Sequence, residues 1–146
     1  MVKRFLDVGI AVADLHRAVD TYSRLLGAAP VMLGPEQYAY AGISGARFYI
    51  EAATISLVAS RDDRSPIASF IASRGEGVNH ISFEVADIEQ AVIDMQAVGI
   101  TFLTAEPLSF PQGRVIFTRP RSTHGVQIAV VQPGPGVDLL NPPSDV

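Results

Sequence analysis

The pattern of apolar and polar positions occurs twice along this chain. Residues 7–19 align with residues 80–92 at an offset of 73, with five identical pairs, and the same offset aligns 54–58 with 127–131. Two separate segments in register at one spacing indicate an internal duplication rather than a chance match. The sequence therefore predicts two copies of one supersecondary unit.

Each copy starts with a short apolar strand, at 8–12 and 81–85, followed by an Asp that is suited to cap a helix. Gln90 lies three residues after Asp87, which fits a capping box. Apolar residues at helical spacing then predict one buried stripe in each helix. The stripes are Leu15, Ala18, Val19, Tyr22, Leu25 and Leu26 in the first helix and Ile88, Ala91, Val92, Met95 and Val98 in the second, with helix ends at Gly27 and Gly99.

Three strand-like stretches follow each helix, so that each copy reads βαβββ. They are 38–41, 47–51 and 54–59 in the first copy and 101–103, 114–118 and 125–131 in the second. Ser65, Pro66 and Gly75 occupy the N-cap, first helical position and C-terminal stop of a short connecting helix. The predicted organisation is a first module at 1–62, a linker helix at 63–76, a second module at 77–133 and an irregular tail at 134–146.

Composition excludes several classes of protein. The chain has 146 residues, a formal net charge of −4 and no Cys, so disulfides, thiolate nucleophiles and zinc–thiolate clusters are excluded. Its 11 basic residues form no run, which is not typical of a nucleic-acid-binding protein. No segment reaches the roughly 20 apolar residues of a membrane span. The sequence predicts a cytoplasmic protein without membrane or nucleic-acid partners.

Three segments resemble the vicinal oxygen chelate superfamily, which includes glyoxalase I, extradiol dioxygenases and the bleomycin-resistance proteins. They are DVGIAVADL at 7–15, SPIASFIASRGEGVNHISFEVADI at 65–88 and RPRSTHGVQI at 119–128. Within the superfamily they are most similar to the methylmalonyl-CoA epimerases. The resemblance implies an α+β fold in which two βαβββ modules pair as ferredoxin-like half-barrels around a central cavity, and it implies a homodimer.

The resemblance also implies where a metal would bind. In the superfamily each module supplies two ligands to a divalent metal, and these four positions fall on Asp7, Ser56, His80 and Ala129. A catalytic metal usually keeps about three protein ligands, whereas only His80 retains the family's ligand type, so we expect no metal and no other cofactor. The stretch 42–45, where the family has a general-base glutamate, carries no ionisable side chain.

If these four positions converge, Asp7 and His80 face each other in the cavity. A carboxylate beside an imidazole can act as an acid/base dyad, with Asp7 fixing the His80 tautomer. Strand alternation places Glu84 on the same face as His80 and makes it a second candidate base. The alternative is structural: the pair would fill a polar hole by a hydrogen bond, and Glu84 would be a solvated strand residue.

Other residues are candidates for contact with a ligand. The candidates are Tyr38, Tyr49, Ser56, Phe110, Arg114, Gln127 and Ala129. The tyrosines could instead pack between the sheets. Arg47 and Arg114, at the starts of matching strands, could clamp a carboxylate or phosphate, but the role we expect for them is that of exposed salt-bridge partners.

Two functions of different class follow. The first is a metal-independent isomerase, epimerase or lyase that uses acid–base chemistry on a small carbonyl substrate, either acyl-CoA or polyketide-like. The second is a protein of the bleomycin-resistance type that binds a small molecule without chemistry. A metal-dependent methylmalonyl-CoA epimerase with an altered site is a third possibility. Titratable groups in the cavity favour chemistry, and a cavity dominated by aromatic side chains favours sequestration, the aromatic candidates being Tyr38, Tyr49, Phe48 and Phe110.

Overall fold

The computed structural model describes residues 1–142. Its strands are β1 (Val2–Ala11), β2 (Val31–Leu33), β3 (Ile43–Ile50), β4 (Ala53–Ser60), β5 (Gly77–Val85), β6 (Leu108–Phe110), β7 (Gly113–Phe117) and β8 (Ile128–Pro133). Its helices are α1 (Leu15–Leu26), α2 (Pro66–Arg74) and α3 (Ile88–Ala97). The eight strands form one curled sheet in the order β2-β3-β4-β1-β5-β8-β7-β6.

The predicted α+β fold of two βαβββ modules is confirmed. In each module the first strand pairs in parallel with the last, and the duplication extends to the register: Val8 pairs with Ile55, and Ile81 pairs with Ile128. The two modules join where β1 and β5 run antiparallel at the centre of the sheet. Side chains from both copies therefore meet along this central pair.

The helix ends follow the sequence signals, and the edges of the apolar stripes do not. Asp14 and Asp87 each accept a hydrogen bond from the amide three residues on. The Gln90 side chain bonds along the helix instead of returning to Asp87, so the capping box is half formed. Leu25 is 71% exposed and Val98 is 76% exposed. The prediction that these two residues are buried is wrong, because Leu25 faces solvent and Val98 follows the end of α3.

Two predicted strands lie elsewhere. The stretch 38–41 is irregular, and β2 precedes it as Val31–Leu33. The stretch 101–103 makes only an isolated bridge from Phe102, and β6 follows it as Leu108–Phe110. In both modules these alternating residues pack as part of a loop. Alternation of apolar and polar residues therefore did not produce a hydrogen-bonded strand here.

Both faces of the sheet carry apolar side chains. One face forms a solid core with two helices, and the other lines a cavity. One face packs against α1 around Phe48 and Leu57 and against α3 around Ile88 and Ile116. The concave face is covered by α2 at one end, and Leu139 from the tail packs over the other. The space left between these covers holds the candidate site. Within residues 1–142 no helix has both the length and the apolar character needed to cross a bilayer.

Candidate active site

Strand register brings the polar side chains of the site into two neighbouring rows across the sheet. Residues two apart on a strand point to the same face, so both rows face the cavity. The rows are Arg47, Ser56, Gly9 and His80 on β3, β4, β1 and β5, and Thr54, Asp7, Ser82 and Ala129 on β4, β1, β5 and β8. Each row crosses from the first module to the second, which means that neither copy could form the site alone.

The Asp7 carboxylate is the buried anion of this site. Its residue is only 6% exposed. Its Oδ1 accepts hydrogen bonds from Thr54 Oγ1 at 2.6 Å and Ser56 Oγ at 2.8 Å, and its Oδ2 lies 3.7 Å from His80 Nε2. Burial by itself would raise the pKa of Asp7, but the contact and charge of His80 and the charge of Arg47 outweigh it and hold this pKa below its ordinary range. Asp7 is therefore ionised inside the protein.

The His80 imidazole lies between Asp7 and a neighbouring amide. Its Nδ1 is 2.9 Å from Asn79 Oδ1, and because an amide oxygen only accepts, Nδ1 is the donor. Asn79, rather than Asp7, thus fixes the proton on Nδ1 and leaves Nε2 as the acceptor of the neutral ring. The edge of the ring also packs on Phe117, with centroids 6.1 Å apart. The imidazole is held on one side and open to the cavity on the other.

Gly9 provides the space that the imidazole occupies. It lies opposite His80 in the β1–β5 ladder, and a methyl group on its Cα would overlap the His80 ring. The same strand carries Asp7 two residues earlier, on the same face. The absence of a side chain at position 9 therefore allows the ring to lie over β1 and approach the carboxylate.

Arg47 is the cation of the site. Its Nε donates to Ser56 Oγ at 3.1 Å, and Ser56 in turn donates to Asp7. The side chain lines the cavity. Within residues 1–142 it forms no ion pair, and no protein acceptor lies within hydrogen-bonding distance of its two terminal amino groups. The prediction that Arg47 is an exposed salt-bridge partner is wrong, because the register of β3 and β4 places it opposite Ser56 at the cavity wall.

Tyr38 brings a hydroxyl into the same wall from the loop before β3. Its oxygen is buried and has no hydrogen-bond partner among the described residues. Burial, the largest influence, raises the pKa of Tyr38 to about 12, while Arg47 lowers it and Asp7 raises it. A side chain at Gly45 would overlap this hydroxyl. Gly45 thus makes room for a phenol that is protonated near neutral pH.

The remaining walls of the cavity are mainly apolar. Its volume is about 430 Å³, within the range typical of small-molecule sites. The aromatic lining residues are Tyr38, Tyr40, Phe70, Phe110 and Phe117. The polar groups of the two rows are gathered on the sheet floor, and α2 adds Ser69, Ser73 and Arg74 to the lining.

Most, but not all, predicted site residues line this cavity. Those that do are Asp7, Tyr38, Ser56, His80, Phe110, Gln127 and Ala129. Glu84 does not: it is buried between Lys3, at 3.5 Å, and Arg4, at 3.1 Å, away from His80. Arg114 pairs with Glu89 at the outer surface.

Two aromatic candidates also lie outside the cavity lining. Phe48 is fully buried in the core beneath α1, and Tyr49 is not among the lining residues. Sequence reasoning assigned no role to Thr54 or Asn79, which complete the hydrogen bonds of Asp7 and His80. The signal for Thr54 was present, since the 73-residue offset already aligned it with Gln127.

Comparison with known proteins gives the family. The Glyoxalase/Bleomycin resistance protein/Dioxygenase superfamily profile matches residues 7–118. The chain belongs to this superfamily. It is 32% identical over 133 residues to the mitochondrial methylmalonyl-CoA epimerase of Homo sapiens, which covers 88% of this chain and 73% of that protein.

Solved structures of the superfamily agree with this fold. The methylmalonyl-CoA epimerase of Mycobacterium tuberculosis is 30% identical with a TM-score of 0.78, covering 92% of this chain and 90% of that one. A variant of the Streptomyces coelicolor methylmalonyl-CoA epimerase in complex with 2-nitronate-propionyl-CoA is 27% identical with a TM-score of 0.81, covering 92% and 99%.

The residues at the superfamily's metal-ligand positions do not fit a divalent metal. Ala129 has no donor atom, and Oδ1 of Asp7 already accepts two hydroxyl hydrogen bonds. Ser56 Oγ is in contact with the Arg47 guanidinium, which places a positive charge where a metal would have to bind. Among residues 1–142 no three His, Cys, Asp or Glu side chains cluster as ligands would. An organic network of opposite charges occupies this position.

The role of Gly9 predicts the effect of a single methyl group. In a Gly9→Ala variant the imidazole must leave its place over β1, so the distance from His80 Nε2 to Asp7 Oδ2 should grow beyond 3.7 Å. A crystal structure of the variant measures this distance. Gly134→Ala is the control, since a methyl there makes only ordinary contacts. An unchanged imidazole position in Gly9→Ala would refute the steric argument.

The environment of Asp7 predicts a specific pH dependence of stability. Because folding lowers the pKa of Asp7, its ionised form contributes stability that is fully present above the ordinary Asp value of about 3.9. This contribution is lost as pH falls through the lower folded value. Urea unfolding between pH 6 and pH 2.5 should therefore show a smaller loss of stability on acidification in Asp7→Asn than in the wild type.

The control for this titration is Asp63→Asn, which removes a carboxylate from the exposed loop after β4. The wild type is expected to be more stable than Asp7→Asn above the ordinary Asp pKa of about 3.9, and the two stability curves should converge in the acid range. Parallel stability curves for these two proteins down to pH 2.5 would contradict the assignment of Asp7 as an ion stabilised by its neighbours.

Proposed function

We propose that this protein is an acid–base epimerase or isomerase that moves the proton next to the carbonyl of a small acyl-CoA substrate without a metal. The observation that carries the proposal is the Asp7–His80 pair on the floor of a cavity whose other walls are mainly apolar. Its relatives in the superfamily include proteins named methylmalonyl-CoA epimerase. The rebuilt charge network is the reason to propose that the proton transfer is metal-independent.

The Nε2 atom of His80 is the proposed proton acceptor. Asn79 holds a proton on Nδ1, so the neutral ring presents an electron pair at Nε2. The carbon–hydrogen bond next to the carbonyl breaks, its electron pair forms the enolate, and the proton moves to Nε2. The enolate then turns over in the cavity and takes the proton back from Nε2 on its opposite face, which gives the epimer without an oxidant or co-reactant.

Asp7 stabilises the imidazolium that this step creates. Its Oδ2 lies 3.7 Å from Nε2 and has no hydroxyl partner, in contrast to Oδ1. The pair is buried, where the attraction between opposite charges is stronger than in water. Positioning and electrostatics are thus supplied by side chains that the register already brings together.

A second candidate function is sequestration of an aromatic or apolar small molecule. The observation that favours it is the aromatic share of the lining, with Tyr40, Phe70, Phe110 and Phe117 around the walls. A binding protein would need these walls and would have no use for an imidazole placed beside a buried carboxylate. A lyase outcome, in which the enolate expels a leaving group, would use the same first step as the epimerase.

Several finer statements are part of the same proposal. They are the acyl-CoA or polyketide-like nature of the substrate, a homodimer, a cytoplasmic location and the absence of nucleic-acid or membrane partners. The superfamily resemblance supports the dimer, and the net charge of −4 without a basic run supports the exclusion of nucleic acid.

Exchange of a carbon-bound proton tests the proposal directly. Chelator-treated protein is incubated with methylmalonyl-CoA in D₂O, and loss of the proton next to the carbonyl is followed by ¹H NMR. We expect exchange faster than the uncatalysed rate and a loss of about 10²–10⁴-fold in His80→Ala, the range of general acid–base catalysis. His16→Ala, which changes an exposed histidine on α1, is the matched control.

Each other outcome favours a different function. Equal exchange rates in wild type and His80→Ala, with both proteins folded, would overturn the proposed base. Binding of the thioester without exchange would favour sequestration, and exchange that appears only on addition of a metal ion would favour an altered metalloenzyme.

A further inference from the structure

We propose that Arg47 and Tyr38 together form an oxyanion site that holds the negatively charged oxygen of the substrate's enolate. The inference rests on the proposed proton transfer and names the groups that stabilise its product. It assigns to a guanidinium and a phenol the positive charge and hydrogen bonds that enolate formation requires at the carbonyl oxygen.

The hydrogen bonding of Arg47 within residues 1–142 leaves its two terminal amino groups available to a ligand. Among residues 1–142 only Nε is engaged, with Ser56 Oγ, and this bond ties the guanidinium to the sheet floor. The two terminal amino groups have no protein acceptor within residues 1–142, and the side chain lines the cavity. A planar guanidinium held at Nε presents a two-pronged donor, the geometry that suits a carboxylate or an enolate.

Tyr38 supplies a second donor that the protein itself does not satisfy. Its hydroxyl is the buried side-chain polar atom left without a partner among the described residues. Burial costs such a group its hydrogen bonds with water. Like an ordinary tyrosine, Tyr38 is protonated near neutral pH, and burial raises its pKa further, to about 12. Its hydroxyl is covered in this structure, and a ligand oxygen that displaces the atoms covering it would accept its hydrogen bond. Gly45 provides the space for this hydroxyl.

The charges of the site remain balanced through the reaction. Before proton transfer, the Asp7 carboxylate and the Arg47 guanidinium offset each other beside a neutral imidazole and a neutral carbonyl. After transfer, the imidazolium faces Asp7 and the enolate oxygen faces Arg47. No net charge is buried at either stage, which avoids the cost of leaving an isolated charge in an apolar cavity.

Binding of a small planar anion tests the site without requiring turnover. The probe is oxalate, titrated into ¹⁵N-labelled protein while the Arg Nε–Hε resonances are recorded. We expect the Arg47 resonance to shift, and affinity to fall at least about tenfold in Arg47→Met and several-fold in Tyr38→Phe, as loss of hydrogen bonds to a charged ligand predicts. Arg114→Met is the matched control, since Arg114 pairs with Glu89 outside the cavity.

Tyr38→Phe removes only an unpartnered hydroxyl, so it remains informative if Arg47→Met fails to fold. No oxalate binding by wild-type protein, or binding unaffected by either substitution, would overturn the inference. Binding that depends equally on Arg114 would show an adventitious surface contact and would also overturn it.

Proton exchange separates this inference from the proposed function. If both hold, Arg47→Met slows exchange with methylmalonyl-CoA by about 10²–10³-fold, the loss typical of an oxyanion donor, and Arg47→Lys recovers part of it. Exchange lost in His80→Ala but unchanged in Arg47→Met would leave the function and refute the oxyanion site. Oxalate binding through Arg47 without any exchange in wild type would leave the anion site and refute the function.

Discussion

The Asp7 carboxylate lies near the middle of β1 with its residue 6% exposed, and a charge buried this deeply must be compensated by its neighbours. The side chains that compensate this charge are the ones that form the site. Thr54 and Ser56 donate to one oxygen, His80 approaches the other, and Arg47 acts through Ser56. These partners come from three other strands. Compensation of the Asp7 charge therefore links β1 to strands of both modules.

The two copies of the duplicated module contribute different residues to the compensation of the Asp7 charge. Positions 7 and 80 are equivalent in the two copies and point into the same cavity, but one carries a carboxylate and the other an imidazole. Their partners on the last strands differ likewise, since Thr54 is a donor to Asp7 and the equivalent Gln127 lies beside His80's strand. Two modules of the same topology thus place a carboxylate and an imidazole opposite each other. A symmetric pair of ligands would suit a metal, whereas this pair suits transfer of a proton.

The sequence predicted the framework better than the site. The 73-residue offset was sufficient for the two modules, because register follows directly from repeated strands, and the superfamily resemblance supplied the expectation that Asp7 and His80 face each other. Sequence reasoning named Tyr38 as a candidate for ligand contact but placed it on a strand, because the alternation of 38–41 resembles a strand, whereas these residues form a loop that brings the phenol to the cavity. Glu84 illustrates the opposite error: its strand face was predicted correctly, but Lys3 and Arg4 at the end of the ladder hold its carboxylate away from the ligand space.

The central claim is that a network of side-chain charges occupies the place where the superfamily resemblance implies a metal. Titration of chelator-treated protein with Co²⁺, followed by NMR of the His80 ring protons, tests it most directly. The account predicts no stoichiometric uptake and His80 resonances that stay in place, because Arg47 opposes a second cation beside Ser56. Binding of one equivalent of Co²⁺ with large paramagnetic shifts at His80 would contradict it.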